Sequence, residues 1–281
     1  MTTTLELSGV PETMLWPLWN RAAEARRSDR LIDDPRSIEL VDAIDYDFKA
    51  NFGSPNRGHG IRSRRADDLL RAFLERHGER TSVVALGEGL ETQYWRVGEP
   101  DVPWFSVDLP EAISARKQCL PLPETMTCIS ASALDDNWMD ALPAGSVPFV
   151  SALGLLMYFE EAEVRSLLTR IAARFPDAEV FFDAITPTMS RRTLVGLKVT
   201  RSYTAPPMPW GITTDDLPAF IESIPGLEPL GIETYADPYP WVMRPYLLLK
   251  RIGPIRRLLA PSLAHARVAT GGRDHTAHDT A

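Results

Sequence analysis

The stretch Val83-Val84-Ala85-Leu86-Gly87-Glu88-Gly89, followed by Val107-Asp108-Leu109-Pro110, decides the fold of this chain. A short apolar run ends in Gly-x-Gly, and an acidic residue closes a second apolar run about 20 residues on. An open α/β sheet builds a nucleoside pocket in this way: the glycine turn lets a ligand approach the backbone, and the carboxylate takes the ribose hydroxyls. The dinucleotide version needs a third glycine at position 92, to pack the helix on the strand and open its N-terminus to a pyrophosphate. Thr92 stands there instead, and Glu91 puts negative charge at that helix start. A ligand with a ribose and no phosphate fits better, and S-adenosylmethionine is the common one. Alone, the same residues also read as a tight strand-to-helix turn at Gly87 and Gly89, with Asp108 capping a helix.

Composition supports a globular α/β protein. The chain has 281 residues, 44% of them apolar and 24% charged, enough for one large domain with additions. No apolar run approaches the roughly 20 residues of a membrane span. Residues 1–10 lack the basic and apolar regions of a signal peptide, so the expected compartment is the cytoplasm. The net charge of −8 gives no general attraction to nucleic acid. The basic clusters Arg62-Ser63-Arg64-Arg65 and Lys250-Arg251 with Arg256-Arg257 read as solvated helix faces. Cys119 and Cys128 are isolated, without metal-ligand spacing, and read as packing residues. No metal site is expected.

Along the chain, Met14, Leu15, Leu18, Trp19, Ala22 and Ala23 recur at helical spacing within residues 12–28. Residues 36–45 read as a second helix entered through Asp34-Pro35. The glycine-rich stretch 51–60 reads as a mobile loop containing His59. A helix over 62–77 follows. Residues 1–60 thus form a helical cap ahead of a core spanning 61–260. From residue 81, strands near 82–86, 103–107, 126–130, 147–152 and 178–183 alternate with helices near 91–96, 110–119, 136–141 and 160–174. That alternation predicts a mostly parallel, Rossmann-like sheet covered on both faces. Residues 188–200 read as a helix, 205–210 as an extended proline-rich loop, and 227–235 as a late strand. The tail, 261–281, carries His265, His275 and His278 among small polar residues and reads as disordered.

Several of these segments, in this order, resemble the leucine carboxyl methyltransferase superfamily, and within it the tetracenomycin-type polyketide O-methyltransferases. The similarity runs from about residue 12 to about residue 260. Ile32-Asp33-Asp34-Pro35 with Ile44-Asp45-Tyr46-Asp47-Phe48 is similar to the family's N-terminal helical region. Arg62-Ser63-Arg64 before Asp67-Asp68 resembles its arginine-bearing helix. Val84 to Leu90 with Trp95-Arg96 resembles its glycine motif. Trp104 to Glu111 follows the family pattern aromatic, x, x, Val-Asp, apolar, Pro. Leu155-Leu156-Met157-Tyr158 before an acidic helix start, and Arg174-Phe175-Pro176 leading to Phe181-Phe182-Asp183, complete the set.

The resemblance implies a class I methyltransferase that uses S-adenosylmethionine. Arg62 would pair with the cofactor's methionine carboxylate, because a guanidinium gives two parallel bonds to a carboxylate. Gly87 and Gly89 would let the cofactor lie against the backbone, Asp108 with Leu109 would hold the ribose, and Ser132 to Asp135 would edge the adenine. Tyr158 either faces the transferred methyl or packs in the core beside Met157. Three positions depart from the family pattern: Glu91 where aspartate is usual, Gln93 where arginine or threonine is frequent, and Leu153 where glutamate usually stands. They leave open a relative that keeps the fold without transferring methyl.

Methyl transfer from a sulfonium is an in-line displacement, for which the protein mainly aligns the nucleophile and excludes water. A carboxylate needs no base; a hydroxyl needs a lowered pKa or a base nearby. Candidate bases are His59 in the glycine-rich loop, Asp183 at a strand end, where it serves equally as a cap, and Tyr203. Trp16, Trp19, Tyr203, Trp210 and Trp241 either shape an apolar acceptor pocket or belong to the core. The leading expectation is an O-methyltransferase of a small-molecule hydroxyl or carboxylate in secondary metabolism, with methylation of a protein C-terminal carboxylate as a variant. A nicotinamide-dependent oxidoreductase is disfavoured by Thr92. The acceptor and the oligomeric state stay open.

Overall fold

The computed structural model describes residues 3–242 and 261–269. Seven strands form one sheet in the order β3-β2-β1-β4-β5-β7-β6. They are β1 (Thr81–Leu86), β2 (Trp104–Asp108), β3 (Met126–Ser130), β4 (Val147–Ala152), β5 (Glu179–Ala184), β6 (Leu227–Thr234) and β7 (Ser262–Val268). The first five pair in parallel, and β7 runs antiparallel to both β5 and β6. Every residue of β1, β4 and β5 is buried, as expected of strands covered on both faces. Their side chains alternate between two cores. Val84, Leu86, Val150 and Phe182 enter one, with α8 (Glu161–Arg174) and α10 (Leu217–Glu222). Val83, Phe149 and Phe181 enter the other, with α4 (Gly58–His77). Strand order reverses between β1 and β4, so the crevice at their C-terminal ends is where such a sheet binds ligands.

Local chemistry sets the helix starts. Pro35 opens α2 (Pro35–Ala43), and the Asp34 side chain caps it by accepting from the Ser37 N–H, as an N-cap carboxylate does. Glu160 and Glu163 close a reciprocal capping box on α8. Helices α1 (Leu15–Ala25), α2 and α3 (Phe48–Phe52) form the cap. Leu15, Leu18, Leu40, Ile44, Phe48 and Phe52 pack there with Leu90 of the glycine loop, which joins cap to sheet through apolar contact.

Three expectations are corrected. The stretch 51–60 is not one mobile loop: Asn51 and Phe52 end α3, Gly58-His59-Gly60 begin α4, and only 53–57 connect them. Gly60 serves packing, since a Cβ there would lie 2.7 Å from Cγ of Glu24 on α1. The tail is not disordered from its start either. Ser262-Leu263-Ala264-His265-Ala266-Arg267-Val268 is a central strand, with Ala264, Ala266 and Val268 in the core. Small alanines in place of bulky β-formers hid it, and pairing on both edges holds it. His265 bonds Glu179 at 2.8 Å. His275 and His278 lie outside the described residues. The helix read over 188–200 is the shorter α9 (Pro187–Leu194). Among the described residues, no helix is long and apolar enough to cross a membrane.

Candidate functional site

A cavity of ≈ 730 Å³ opens between the cap and the C-terminal ends of β1, β2, β4 and β5, within the range of small-molecule sites. At its floor, Gly87 (φ 64°) and Gly89 (φ 49°) take left-handed conformations that disfavour other residues. A Cβ on Gly87 would stand 2.9 Å from Leu155 Cδ1, and one on Gly89 2.8 Å from Met14 Cβ. The turn is therefore squeezed between the sheet and the cap. Asp108 ends β2 and accepts from the Gly89 N–H and from its neighbour Leu109 N–H, each at 2.8 Å. One oxygen faces each donor, which leaves a free lone pair on both. Burial raises the Asp108 pKa, against the two N–H donors that favour its ionised form.

Arginines hold the turn's carbonyls. Arg21 from α1 donates to Leu90 O at 2.7 Å, and Arg116 from α6 (Pro110–Cys119) donates to Gly89 O and Glu91 O, each at 2.9 Å. Arg116 also pairs with Glu88 at 3.2 Å. No single element supplies this geometry: α1, α6 and β2 each fix part of the same turn.

The second polar end lies at β5. Arg62 from α4 meets Asp183 at 2.9 Å, with both side chains buried. Asp183 also accepts from Tyr235 Oη at 2.7 Å and from the Gly154 N–H at 2.5 Å. Gly154 (φ 71°) is required here, because a Cβ would come within 2.9 Å of Arg62 Nη1. Three donors fix the Asp183 carboxylate, so the structure makes it the holder of Arg62 instead of a free base. Arg62 Nε and Gln93 Nε2 are buried and lack hydrogen-bond partners among the described residues. Both residues line the cavity, and an unpaired buried donor is costly unless a ligand satisfies it.

A buried charge cluster joins the cap to this floor. Arg96, at the end of α5 (Gln93–Arg96), bonds Asp67 through two nitrogens at 2.9 and 3.0 Å, Glu91 at 2.5 Å and Asp34 at 3.2 Å. Arg21 meets Glu91 at 3.0 Å. Burial alone would raise the Glu91 pKa, but Arg21 and Arg96 override it and hold it well below the carboxylate range. A carboxyl depressed in the folded state contributes stability that is complete above its unfolded pKa of about 4.3 and is lost progressively as pH falls from there toward its lower folded pKa. Glu91→Gln is expected to cost about 2 kcal/mol at neutral pH, with the difference in melting temperature from wild type closing below about pH 4. A gap independent of pH between about 3 and 7 would contradict the charge assignment.

The remaining sequence candidates fall on both sides of the cavity wall. Tyr158 lines it, and burial raises its phenol pKa, so it stays protonated near neutrality. His59 lines it too, within α4, and not in a solvated loop. Ser132 and Asp135 are absent from the lining. They close a turn after β3 in which Ser132 N donates to the Asp135 carboxylate at 3.0 Å. Trp16 lines the cavity; Trp210 is core, and Trp241 is 62% exposed. Tyr203 packs in the cap cluster, edge-on to Phe52.

Residues 15–172 match the family model described as leucine carboxyl methyltransferase. The chain belongs to the leucine carboxyl methyltransferase family. A curated relative, the tetracenomycin polyketide synthesis O-methyltransferase TcmP of Streptomyces glaucescens, is 33% identical over 187 residues, covering 66% of this chain and 69% of its own. The S-adenosyl-L-methionine-dependent methyltransferase dpfgK of Gibberella zeae is 28% identical over 200 residues, 63% of this chain and 67% of its own. A crystal structure of a candidate methyltransferase from Thermobifida fusca superposes with a TM-score of 0.54 at 13% identity, covering 92% of this chain and 95% of that one. That likeness shows the fold. The protein is accordingly an S-adenosylmethionine-dependent methyltransferase of this family.

The residues present fit the cofactor. An acidic group with free lone pairs stands at the end of β2, and two orphaned buried donors, Arg62 Nε and Gln93 Nε2, line the same cavity. Leu153 also lines the cavity and brings no charge to it. Sequence reasoning missed Arg21, Arg96, Tyr235 and Asn20. The available signal was an arginine and an asparagine inside the otherwise apolar stripe of α1, since buried polar residues need partners.

Proposed function

We propose that this protein methylates an oxygen of a small molecule that reaches the site already ionised: a carboxylic acid, or a phenol or enol acidified by conjugation. The observation that carries this reading is that every carboxylate on the cavity wall is tied. Glu88 is held by Arg116, Glu91 by Arg21 and Arg96, Asp108 by two backbone N–H groups, and Asp183 by Arg62, Tyr235 and Gly154. Each has at least one donor holding it, Glu88 through one oxygen only, so no carboxylate on this wall stands wholly unpaired beside a neutral hydroxyl. Asp108 would hold the ribose and Arg62 with Gln93 the methionine carboxylate. The bound cofactor supplies an electrophilic methyl on a sulfonium; the protein's residues bind, orient and exclude water. Ile185, Leu197 and Met208 on the same wall suit an apolar acceptor body. The TcmP resemblance supports a role in secondary metabolism. The free thiols Cys119 and Cys128 suit a reducing cytoplasm.

Transfer of labelled methyl to aromatic carboxylic acids, nitrophenols and plain phenols tests this. Carboxylates and acidic phenols are expected to accept methyl, at rates that follow their ionised fraction and level off above the acceptor's own pKa. Plain phenols, with a pKa of about 10, should lag by at least tenfold near pH 7. Equal rates on phenols and carboxylates would show a base at work and overturn the reading.

A further inference from the structure

We propose that Asn20 is a positioning residue that holds His59 as the Nε2–H tautomer, so that His59 donates a hydrogen bond to the acceptor's oxygen instead of taking its proton. This rests on the methyl-transfer reading above and goes beyond it by assigning the direction of one hydrogen bond at the acceptor.

The argument begins with the Asn20 amide, which is fully buried on α1. Its Oδ1 accepts from the Asn56 backbone N–H at 3.1 Å. A backbone N–H is only a donor, so this contact fixes which end of the amide is oxygen. The Nδ2 end then faces His59 Nδ1 at 2.6 Å. An amide NH₂ has protons and no acceptor capacity, so Nδ1 must present its lone pair. The proton of the neutral ring therefore sits on Nε2.

A second proton is resisted as well. Placing it on Nδ1 would set two donors against each other. Burial lowers the His59 pKa well below its ordinary value, and Arg62 on α4 and Arg21 on α1 lower it further, against Glu91 of the glycine loop, which raises it. Nε2 has no hydrogen-bond partner among the described residues, and His59 lines the cavity with its ring edge-on to Trp16 at 6.3 Å. Gly60, next to His59, lets α4 lie close against Glu24 of α1, the helix that also carries Asn20. His59 and the protonated Tyr158 thus offer two neutral donors to the acceptor. Such a pair suits an anionic oxygen, or a carbonyl beside it, and cannot activate a neutral alcohol.

The test uses the full chain labelled with ¹⁵N-histidine. Long-range ¹H–¹⁵N spectra report the tautomer, and His59→Gln identifies the His59 signals by their disappearance. Wild-type protein is expected to show Nε2–H with no titration between about pH 6 and 8. Added S-adenosylhomocysteine with 4-nitrophenolate, a small aryl oxyanion, should shift the Nε2 signal. In Asn20→Asp the new carboxylate accepts from Nδ1–H, so the proton moves and the nitrophenolate-dependent shift is lost. His59→Gln, which keeps an N–H donor, should bind nitrophenolate within roughly threefold of wild type, and His59→Leu at least about tenfold more weakly. A wild-type Nδ1–H tautomer, a ring titrating near pH 6.5, or equal nitrophenolate binding by the Gln and Leu variants would each overturn the proposal. Binding of S-adenosylhomocysteine is followed in parallel. Its loss from wild-type protein would count against the methyltransferase site itself, whereas its retention with the wrong tautomer counts against the role of Asn20 alone.

Discussion

Arg96→Leu is expected to destabilise the protein by about 3–5 kcal/mol, the range for removing one partner of a buried ionic group. Arg96 is 3% exposed and serves three carboxylates at once: Asp67 through two nitrogens, Glu91 and Asp34. Leucine fills the volume but leaves Asp67 without its cation, and leaves Glu91 and Asp34 to share Arg21. The desolvation cost of three acids then stands almost unopposed. Arg96→Lys should recover less than half of the loss, because a single ammonium cannot reproduce a planar fork that bridges several partners. Denaturant unfolding measures both values. Amide exchange in α1 and α2 should quicken in both variants, since Asp34 and Arg21 carry the cap's attachment to this cluster. A loss under about 1 kcal/mol for leucine would mean the cluster is not a structural joint.

Asp108→Ala is expected to weaken cofactor binding by about 100-fold or more, equivalent to about 2.7 kcal/mol. Two effects combine. The ribose hydroxyls lose an ionised acceptor, and the Gly89 and Leu109 N–H groups lose the carboxylate that holds the glycine turn in place. Asp108→Asn separates them. The amide keeps one acceptor but offers donors where the turn also offers donors, so about tenfold weakening is expected. Overall stability should change little in either variant, because removing a carboxylate whose pKa burial has raised relieves a desolvation cost that offsets the two lost N–H bonds, and Asp108 joins no ion pair among the described residues.

Much of the core architecture was legible before any coordinates. Strands β1, β2 and β5 announce themselves as apolar runs closed by Gly87, Asp108 and Asp183, and α8 by its apolar face and acidic first turn. What escaped shares one cause: the decisive partner lies far along the chain. Strand β7 is alanine-rich and reads as tail until β5 and β6 close on it. His59 looks like a loop residue among glycines until α1 is laid against α4. Asp183 reads as a base at a strand end, yet Arg62, Tyr235 and Gly154, from three separate segments, converge on it. Residue type was informative at each of these positions; the number and direction of hydrogen bonds were not, because they depend on tertiary placement. The place of Asp108 beside the glycine turn was legible, since Gly-x-Gly and the end of the adjacent strand meet in such a sheet; its two backbone donors were not.

The most direct test of the account is a calorimetric titration of the purified protein with S-adenosylmethionine and S-adenosylhomocysteine, with Asp108→Ala alongside. Saturable binding of both ligands at one site per chain, lost in the variant while its unfolding midpoint is kept, is the predicted result. Wild-type protein that takes up neither ligand, or binds them equally well without Asp108, would show that the cavity at the ends of β1 and β2 is not the cofactor site.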